Sequence, residues 1–596
     1  MKMVILKHSG QKWAGWEKSV NPFFLSKAMK RILILIGIII FGCRSSPETS
    51  FDNLNQAFIS WYFKYHPVES TRYNMSKNNG RFSLNTKTEM DEYYADISRF
   101  LIELSQIDAT KIAHNSRIDY NILYSQLEKM KYVIDEIKPW EWNPLWTLDE
   151  LHDGLYILSE RENIDMDNRV SAIQSRLGKI PELLENSKIL MIAHSKIHIL
   201  YSNTRVDKLL ILLQQLPLKL NSDNITLDNI DDLIKKSTVA LEDFKNWINS
   251  QAVKFDEINF PSDVSLIQNG FNHFTGGKYL SPHVYELAKK KLIPIQDRLF
   301  HLTLPFYLKE NDEPVWLDRA DTLEVIQWTI DDIYNNPKNK IRNDEVLSRF
   351  YKSLTAIEIF CYTKSILPRK KNKTIKLEFA PDYSSSQSPV FLFDNHPKKV
   401  SMDIVYNIKA PEGDFGEYNL NQQEIDIINA MHILPGYGIQ LGYSQNYASM
   451  IRYLFPDLVT ASGWKFYALN MLIEEGYANW DQEYHILKLK EEISIIARTI
   501  MEMRYYSREI NREDAIKFLR EMAFMKENEA QLAQMETDLN YFSGTASFIG
   551  VMELNSLLAE YKRKQGDNFV LSEFHRLILQ DGIIPLFELK KRVLLP

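Results

Sequence analysis

Apolar residues recur at three-to-four spacing along most of the chain, with charged residues between them. Six stretches carry the pattern clearly: Phe51 to Tyr65, Lys87 to Leu104, Tyr120 to Ile137, Arg169 to His194, Arg205 to Leu216 and Asp228 to Asn249. That spacing gathers apolar side chains on one stripe of a helix, so each stretch predicts an amphipathic α-helix. Asn78-Asn79-Gly80, Gly276-Gly277 and Asn335-Asn336-Pro337 supply turn chemistry between them. From Lys373 to Lys409 the pattern changes. Ile375, Leu377 and Phe379 alternate with polar residues, and Val390 to Phe393 and Val400 to Val405 are β-rich. A small sheet is expected there, and helices return from Glu491. The expected fold class is mainly α, with one small antiparallel sheet just before a helix around Met431.

The front of the chain reads differently. Lys30-Arg31 precede an apolar run from Ile32 to Phe41, which passes through Gly42-Cys43 into Arg44-Ser45-Ser46-Pro47. A membrane span needs about 20 apolar residues, so this run marks export. A basic start, a short apolar centre and a small residue before cysteine form a bacterial lipoprotein signal. The expected organisation is a misassigned upstream start at 1–28, a signal peptide at 29–42 and a lipid-anchored tether at 43–50. A helical lobe at 51–370 follows, then a lobe at 371–596 with the sheet and the Met431 helix. Cys43 is the expected lipid attachment and the membrane the expected partner. Two or three acyl chains hold far more firmly than one. The location implied is the bacterial cell envelope, and Arg44 after Cys43 is compatible with the outer membrane facing the periplasm.

The roughly 550 residues after the signal exceed what one hydrophobic core serves, so two or more lobes are expected. Apolar residues at 45% and charged residues at 25% describe an ordinary globule. A formal charge of -7 over 596 residues, with no basic run beyond Arg369-Lys370-Lys371, argues against nucleic acid as a partner. Cys43 and Cys361 are the only cysteines, so lipidation of Cys43 leaves no internal disulfide.

Candidate chemistry centres on Met431-His432-Ile433-Leu434-Pro435-Gly436-Tyr437-Gly438-Ile439-Gln440. A zinc-hydrolase helix of the His-Glu-x-x-His kind has two imidazole ligands and a carboxylate base on one face. This window has one imidazole, and Glu424 and Asp426 precede it outside that spacing. His432 among Ile427, Ile428, Ala430, Ile433 and Leu434 reads as a hydrogen-bonded core histidine, and Tyr437 as packing. His194 and His198 have an i, i+4 spacing without an accompanying glutamate and read as ordinary helix histidines. Gly-x-Ser-x-Gly, Gly-x-Gly-x-x-Gly and Walker loops are absent. Trp140, Trp142 and Trp146 offer aromatic surface for a cleft, or packing.

The surroundings of the window carry a resemblance. Pro435-Gly436 and Gln440 are followed by Ser462-Gly463-Trp464, Tyr467, Glu474-Glu475-Gly476-Tyr477, Phe574-His575 and Gly582-Ile583-Ile584-Pro585-Leu586. His66-Pro67 to Thr71, Ile118-Asp119-Tyr120 and Arg176-Leu177 to Ile180-Pro181 add weaker echoes upstream. The chain resembles, from Phe51 to Leu594, the bacterial family called domain of unknown function 885. That resemblance implies a large gluzincin-like metallopeptidase scaffold. The family pattern His-Glu-x-x-Pro-Gly-His falls on Met431, His432 and Tyr437, and the acid of its Glu-Gly-Trp falls on Ser462. A further Arg…Asp…His pattern falls on Arg498, Glu502 and Tyr506, and a Pro-Gly-Gln…Tyr stretch is eroded around Tyr541 to Gly550. His575, on the Phe-His element, is expected to be a structural bond-former.

The substitutes make poor zinc ligands. One residue along a helix is a rotation of about 100°, so His432 does not replace a ligand at 431. A Tyr437 phenolate costs roughly 4 kcal/mol at pH 7 before a metal helps. Met431 is a soft ligand, and Ser462 a weak one. The expected reading is a catalytically silent relative of zinc hydrolases, with no cofactor and an inherited cleft for a peptide or envelope protein ligand. The rival is a metallohydrolase rebuilt with zinc around His432, Tyr437 and Glu474 or Glu475. A structural envelope lipoprotein without a ligand is the remaining alternative.

Overall fold

The computed structural model describes residues 46–594 apart from short stretches, the longest being 221–228, 252–263, 312–318, 368–372 and 385–401. The signal sequence, Cys43 and Val390 to Phe393 lie outside the described residues. The N-terminal half contains α1 (Pro47–Tyr65), α2 (Pro67–Arg72), α3 (Lys87–Ser105), α4 (His114–Tyr132), α5 (Leu145–Glu160), α6 (Met166–Leu177), α7 (Ile180–Leu190), α8 (Lys196–Leu220) and α9 (Ile230–Ser250). Next come α10 (Val264–Thr275), α11 (Ser281–Glu310), α12 (Arg319–Asn335), α13 (Val346–Thr363), β1 (Lys373–Phe379) and β2 (Met402–Ile408). The remainder is α14 (Gln422–His432), α15 (Tyr437–Gln445), α16 (Met450–Leu454), α17 (Leu458–Glu474), α18 (Gln482–Tyr506), α19 (Arg512–Ala523), α20 (Glu527–Leu539), α21 (Ser543–Gln565), α22 (Leu571–Leu579) and α23 (Leu586–Leu594). The fold is mainly helical with one two-stranded sheet.

The amphipathic stretches form helices, with boundaries set by local chemistry. The Ser46 hydroxyl accepts from Thr49 N–H at 3.1 Å and Pro47 opens α1, so the helix starts inside the expected tether. The stretch expected as one helix from Arg169 to His194 is two. Pro181 has no N–H to continue α6, and a new helix starts around it. Tyr120 to Ile137 belongs to α4 and a closing π-turn at Val133–Ile137, which ends on Lys138 at φ 47°.

The sheet corrects one expectation. Its strands are parallel, paired from Lys373↔Met402 to Phe379↔Ile408, where an antiparallel pair was expected. A tight hairpin serves antiparallel strands, whereas parallel strands need a crossover of a dozen or more residues. The long connection from Ala380 to Ser401 permits that crossover.

Packing crosses the expected boundary at residue 370. The largest core joins Phe51, Phe58 and Leu123 to Trp464, Ile496 and Leu589, while a second gathers Val68 to Ile248 with Tyr383. Buried ion pairing ties the ends together: Arg452 in α16 meets Asp119 in α4 at 2.6 Å. The upstream echoes also converge, since Arg176 bonds the Thr71 hydroxyl at 2.7 Å and the Gly154 carbonyl.

Candidate functional site

The site is built around α17, whose interior would be wholly neutral but for Lys465. Asp457 caps it by accepting from Thr460 N–H at 2.7 Å. The Thr460 hydroxyl donates to Ile584 O at 2.8 Å, and Asp457 N–H to Ile583 O at 3.0 Å, which fastens the Gly582-to-Leu586 motif to the start of the helix. Gly463 lets α21 approach closely. The Trp464 indole N–H donates to Pro435 O at 3.0 Å and Gly436 O at 3.2 Å. The Ser-Gly-Trp and Pro-Gly motifs therefore lock together. Further along, the Tyr467 hydroxyl meets His575 Nε2 at 2.7 Å, and His575 Nδ1 meets Ile366 O at 2.7 Å. His575 is a structural bridge, as expected.

Around this frame the degenerate positions fall into two groups. Met431 is buried, and Gln440 is only 1% exposed with neither amide atom partnered. His432, Tyr437 and Lys465 are half-buried. His432 is not the hydrogen-bonded core histidine its apolar flanks suggested: it has no hydrogen-bond partner among the described residues. Its ring lies 6.4 Å from that of Tyr406 in β2, so the sheet borders this end of α14. The Lys465 ammonium stands over the Tyr437 ring, 5.4 Å from its centroid, and has neither ion-pair nor hydrogen-bond partner among the described residues. Ser462, one turn before it and 7% exposed, likewise has no such partner.

These groups line a recess. His432, Tyr437, Lys465 and Arg498 keep partial solvent contact, yet burial is the largest influence on the ionisation of each. Burial and the Lys465 charge push His432 down to about 3, and burial pushes Tyr437 up to about 12. His432 is neutral and Tyr437 protonated at pH 7. Tyr73, which follows α2, is pushed up chiefly by burial, with Tyr437 among its lesser influences, and packs edge-on to Tyr453 at 5.0 Å.

Arg498, Glu502 and Tyr506 share one face of α18, and their work is structural. Arg498 pairs with Glu536 at 2.7 Å and donates to Ser543 Oγ at 3.2 Å. The fully buried Glu502 accepts from Gly544 N–H and Thr545 N–H, each at 2.8 Å, and from the Thr545 hydroxyl at 2.7 Å. It caps the N-terminus of α21. The Tyr506 hydroxyl donates to Thr537 O at 3.1 Å and accepts from Phe542 N–H at 3.2 Å.

The other candidates are placed apart from this recess chemistry. Asp426 accepts from the Tyr484 hydroxyl at 2.5 Å, and Glu424 pairs with Lys526 at 2.6 Å. Glu474 pairs with Lys488. His194 precedes α8, so it and His198 do not share one helix. Trp142 is buried and donates to Ile137 O at 2.8 Å, while Trp146 is 38% exposed.

Among the described residues no three His, Cys, Asp or Glu side chains are grouped to hold a metal, and an unpaired ammonium stands beside Tyr437. Lys465 was not singled out from sequence. Its signal was legible: it is the sole basic residue of an otherwise neutral helix interior.

Two solved structures share the fold. One, described as a candidate lipoprotein of unknown function from Shewanella oneidensis, superposes with a TM-score of 0.73 at 20% identity over 91% of this chain and 99% of that one. Another, from Colwellia psychrerythraea and similarly described, gives 0.72 at 13% identity over 92% and 98%. Residues 67–593 match a single family, and the chain belongs to it: the bacterial proteins of unknown function named DUF885. No curated protein matches.

Proposed function

We propose that this protein is a lipid-anchored lipoprotein of the bacterial envelope, related to zinc hydrolases but catalytically silent, which binds a peptide or protein segment in the recess beside α17. One observation carries the reading: Lys465 places its ammonium over the Tyr437 ring, where the resemblance expects a metal ligand. A divalent cation is disfavoured beside an ammonium, and among the described residues no carboxylate is within ion-pair distance of Lys465, Glu536 acting on it only from farther off. The envelope location is supported by the signal sequence ending at Cys43 and by the lipoprotein description of both structural neighbours. No helix among the described residues is long and apolar enough to cross a membrane.

The rival, a rebuilt hydrolase, needs Glu474 or Glu475 near His432 and Tyr437. Glu474 lies nine residues beyond Lys465 on α17, roughly 13 Å along the axis, and is paired with Lys488. Metal analysis of the purified mature protein separates the readings. Substoichiometric zinc and no peptide hydrolysis are expected; stoichiometric zinc, with activity lost in His432→Ala, would establish the hydrolase. A screen in which no peptide raises the melting temperature would favour the purely structural alternative.

A further inference from the structure

The link between lipid and protein is shorter than the sequence implied. A tether of eight residues was expected at 43–50, but Ser46 caps α1, so only Arg44 and Ser45 separate that cap from Cys43. Whatever their conformation, three residue steps reach at most roughly 11 Å, against roughly 28 Å for eight. The cap is also firmly held. Glu48 accepts from Ala113 N–H at 2.7 Å and from the Ser116 hydroxyl, which joins the first turn of α1 to the start of α4. Phe51 is 1% exposed and packs on Tyr120, whose hydroxyl donates to Leu104 O at 3.2 Å near the end of α3. One face therefore gathers the start of α1, the end of α3 and the start of α4. Its exposed groups include Ser46, Thr49, Gln106, Thr110, Lys111 and His114.

We propose that this face rests against the phospholipid headgroups of the bilayer that holds the Cys43 acyl chains, with α1 leading away from it into the body. The assignment rests on the lipid-anchor reading above and adds the surface that meets the membrane. Acyl chains fix Cys43 at the edge of the hydrocarbon, and the headgroup layer beyond it is about 5–7 Å thick. A fully stretched link lifts Ser46 only a few Å clear of that layer, so the body cannot stand off. The chemistry of the face suits the contact. Its hydroxyls, the Gln106 amide and the Lys111 ammonium are donors for phosphate and ester oxygens. Lys111 is paired with Asp108 at 2.8 Å, an exposed pair that holds it weakly. No large apolar side chain is exposed in 46–50 or 105–116, so the face lies on the headgroups and does not insert. Helix α1 has 19 residues and rises about 27 Å, which carries the exposed Lys64 of its last turn away from the bilayer.

Amine acylation of the lipidated protein tests this on two lysines at opposite ends of α1. Wild-type protein is reconstituted into phosphatidylethanolamine vesicles containing phosphatidylglycerol, and unanchored Cys43→Ser protein is mixed with the same vesicles. Labelling of Lys111 and Lys64 by a limiting reagent is compared by peptide mass spectrometry, and the mass of the N-terminal peptide reports lipidation. An anionic surface at about −30 mV concentrates protons roughly threefold and so depletes free amine there by the same factor. At 0.1 M salt this field fades over about 10 Å, well short of Lys64. Anchoring is therefore expected to slow labelling of Lys111 at least about threefold and to leave Lys64 nearly unchanged. Equal slowing of both lysines would overturn the proposed face, because the flank of α1 would then lie along the bilayer. No slowing of either, with lipid confirmed on Cys43, would overturn the face while leaving the anchor intact. An N-terminal peptide without lipid would remove the anchor reading and the face together.

Discussion

Gly463 and Gly550 meet backbone to backbone where α17 crosses α21. A Cβ built on Gly463 would lie 2.3 Å from the Gly550 carbonyl carbon, and one built on Gly550 would lie 2.1 Å from Val459 O. Neither obstacle is a flexible side chain, so the helices themselves must part. Gly463→Ala is expected to cost about 1–3 kcal/mol or more and to lower Tm by a few degrees. The adjacent Trp464 would be drawn from its bonds to Pro435 and Gly436, so tryptophan fluorescence should shift with the loss of stability. An unchanged Tm for Gly463→Ala would mean that this contact is not tight.

Helices were the legible part of the sequence because apolar spacing is a local signal. Lys87 to Leu104 corresponds almost residue for residue to α3. Strand direction was not legible: Ile375, Leu377 and Ile404 show which faces are apolar, but not which way the chain returns after a long connection. The recognisable motifs proved to be joints of the fold, as Trp464 on Pro435 and Tyr467 on His575 demonstrate. Their spacing fits the packing they make. The recess was only half legible. The departures of Met431, His432, Tyr437 and Ser462 from the pattern the resemblance implies could be read from one string of residues, but the stacking of Lys465 on Tyr437 joins two helices and emerges only in three dimensions.

Glu502 holds the first N–H groups of α21 inside the core. Gln in its place keeps one acceptor oxygen, loses the charge and turns an NH2 towards a backbone donor. Glu502→Gln is expected to lower stability by about 1–3 kcal/mol, read as a shift of the urea midpoint. A wild-type midpoint would show that the cap contributes nothing.

Stability should fall as pH is lowered below about 6.5. Burial pushes His66, His198 and His575 down to about 4, and burial with Lys465 pushes His432 down to about 3. Between those values and the unfolded pKa, the unfolded chain binds more protons, so each histidine removes up to about 1.4 kcal/mol per pH unit. The effect is small at pH 7, where all four are neutral in the folded state and mostly neutral in the unfolded one. Urea unfolding at pH 7 and pH 5 checks it, and a flat profile would rule out buried neutral imidazoles.

Cys43→Ser should release the protein from membranes. On the proposed reading attachment runs through acyl chains on Cys43; no helix among the described residues is long and apolar enough to span a bilayer. Fractionation of expressing cells measures this. Retention of the variant in the membrane fraction would contradict lipidation at Cys43.

Rebuilding the pattern that the resemblance implies provides the most demanding test of the proposed reading. Met431→His, His432→Glu, Tyr437→His and Ser462→Glu together restore the side chains that the resemblance expects, yet they leave the Lys465 ammonium in place. A unit charge about 6 Å from a dication opposes binding by several kcal/mol at an effective dielectric of about 20. The fourfold variant is therefore expected to bind zinc weakly, and the same variant with Lys465→Ala far more tightly, in a competition titration against a zinc dye. The two variants differ in one side chain, so equal affinity would show that Lys465 does not guard the site. Failure of both to bind micromolar zinc, with the fold retained by circular dichroism, would refute the placement of the pattern on Met431, His432, Tyr437 and Ser462.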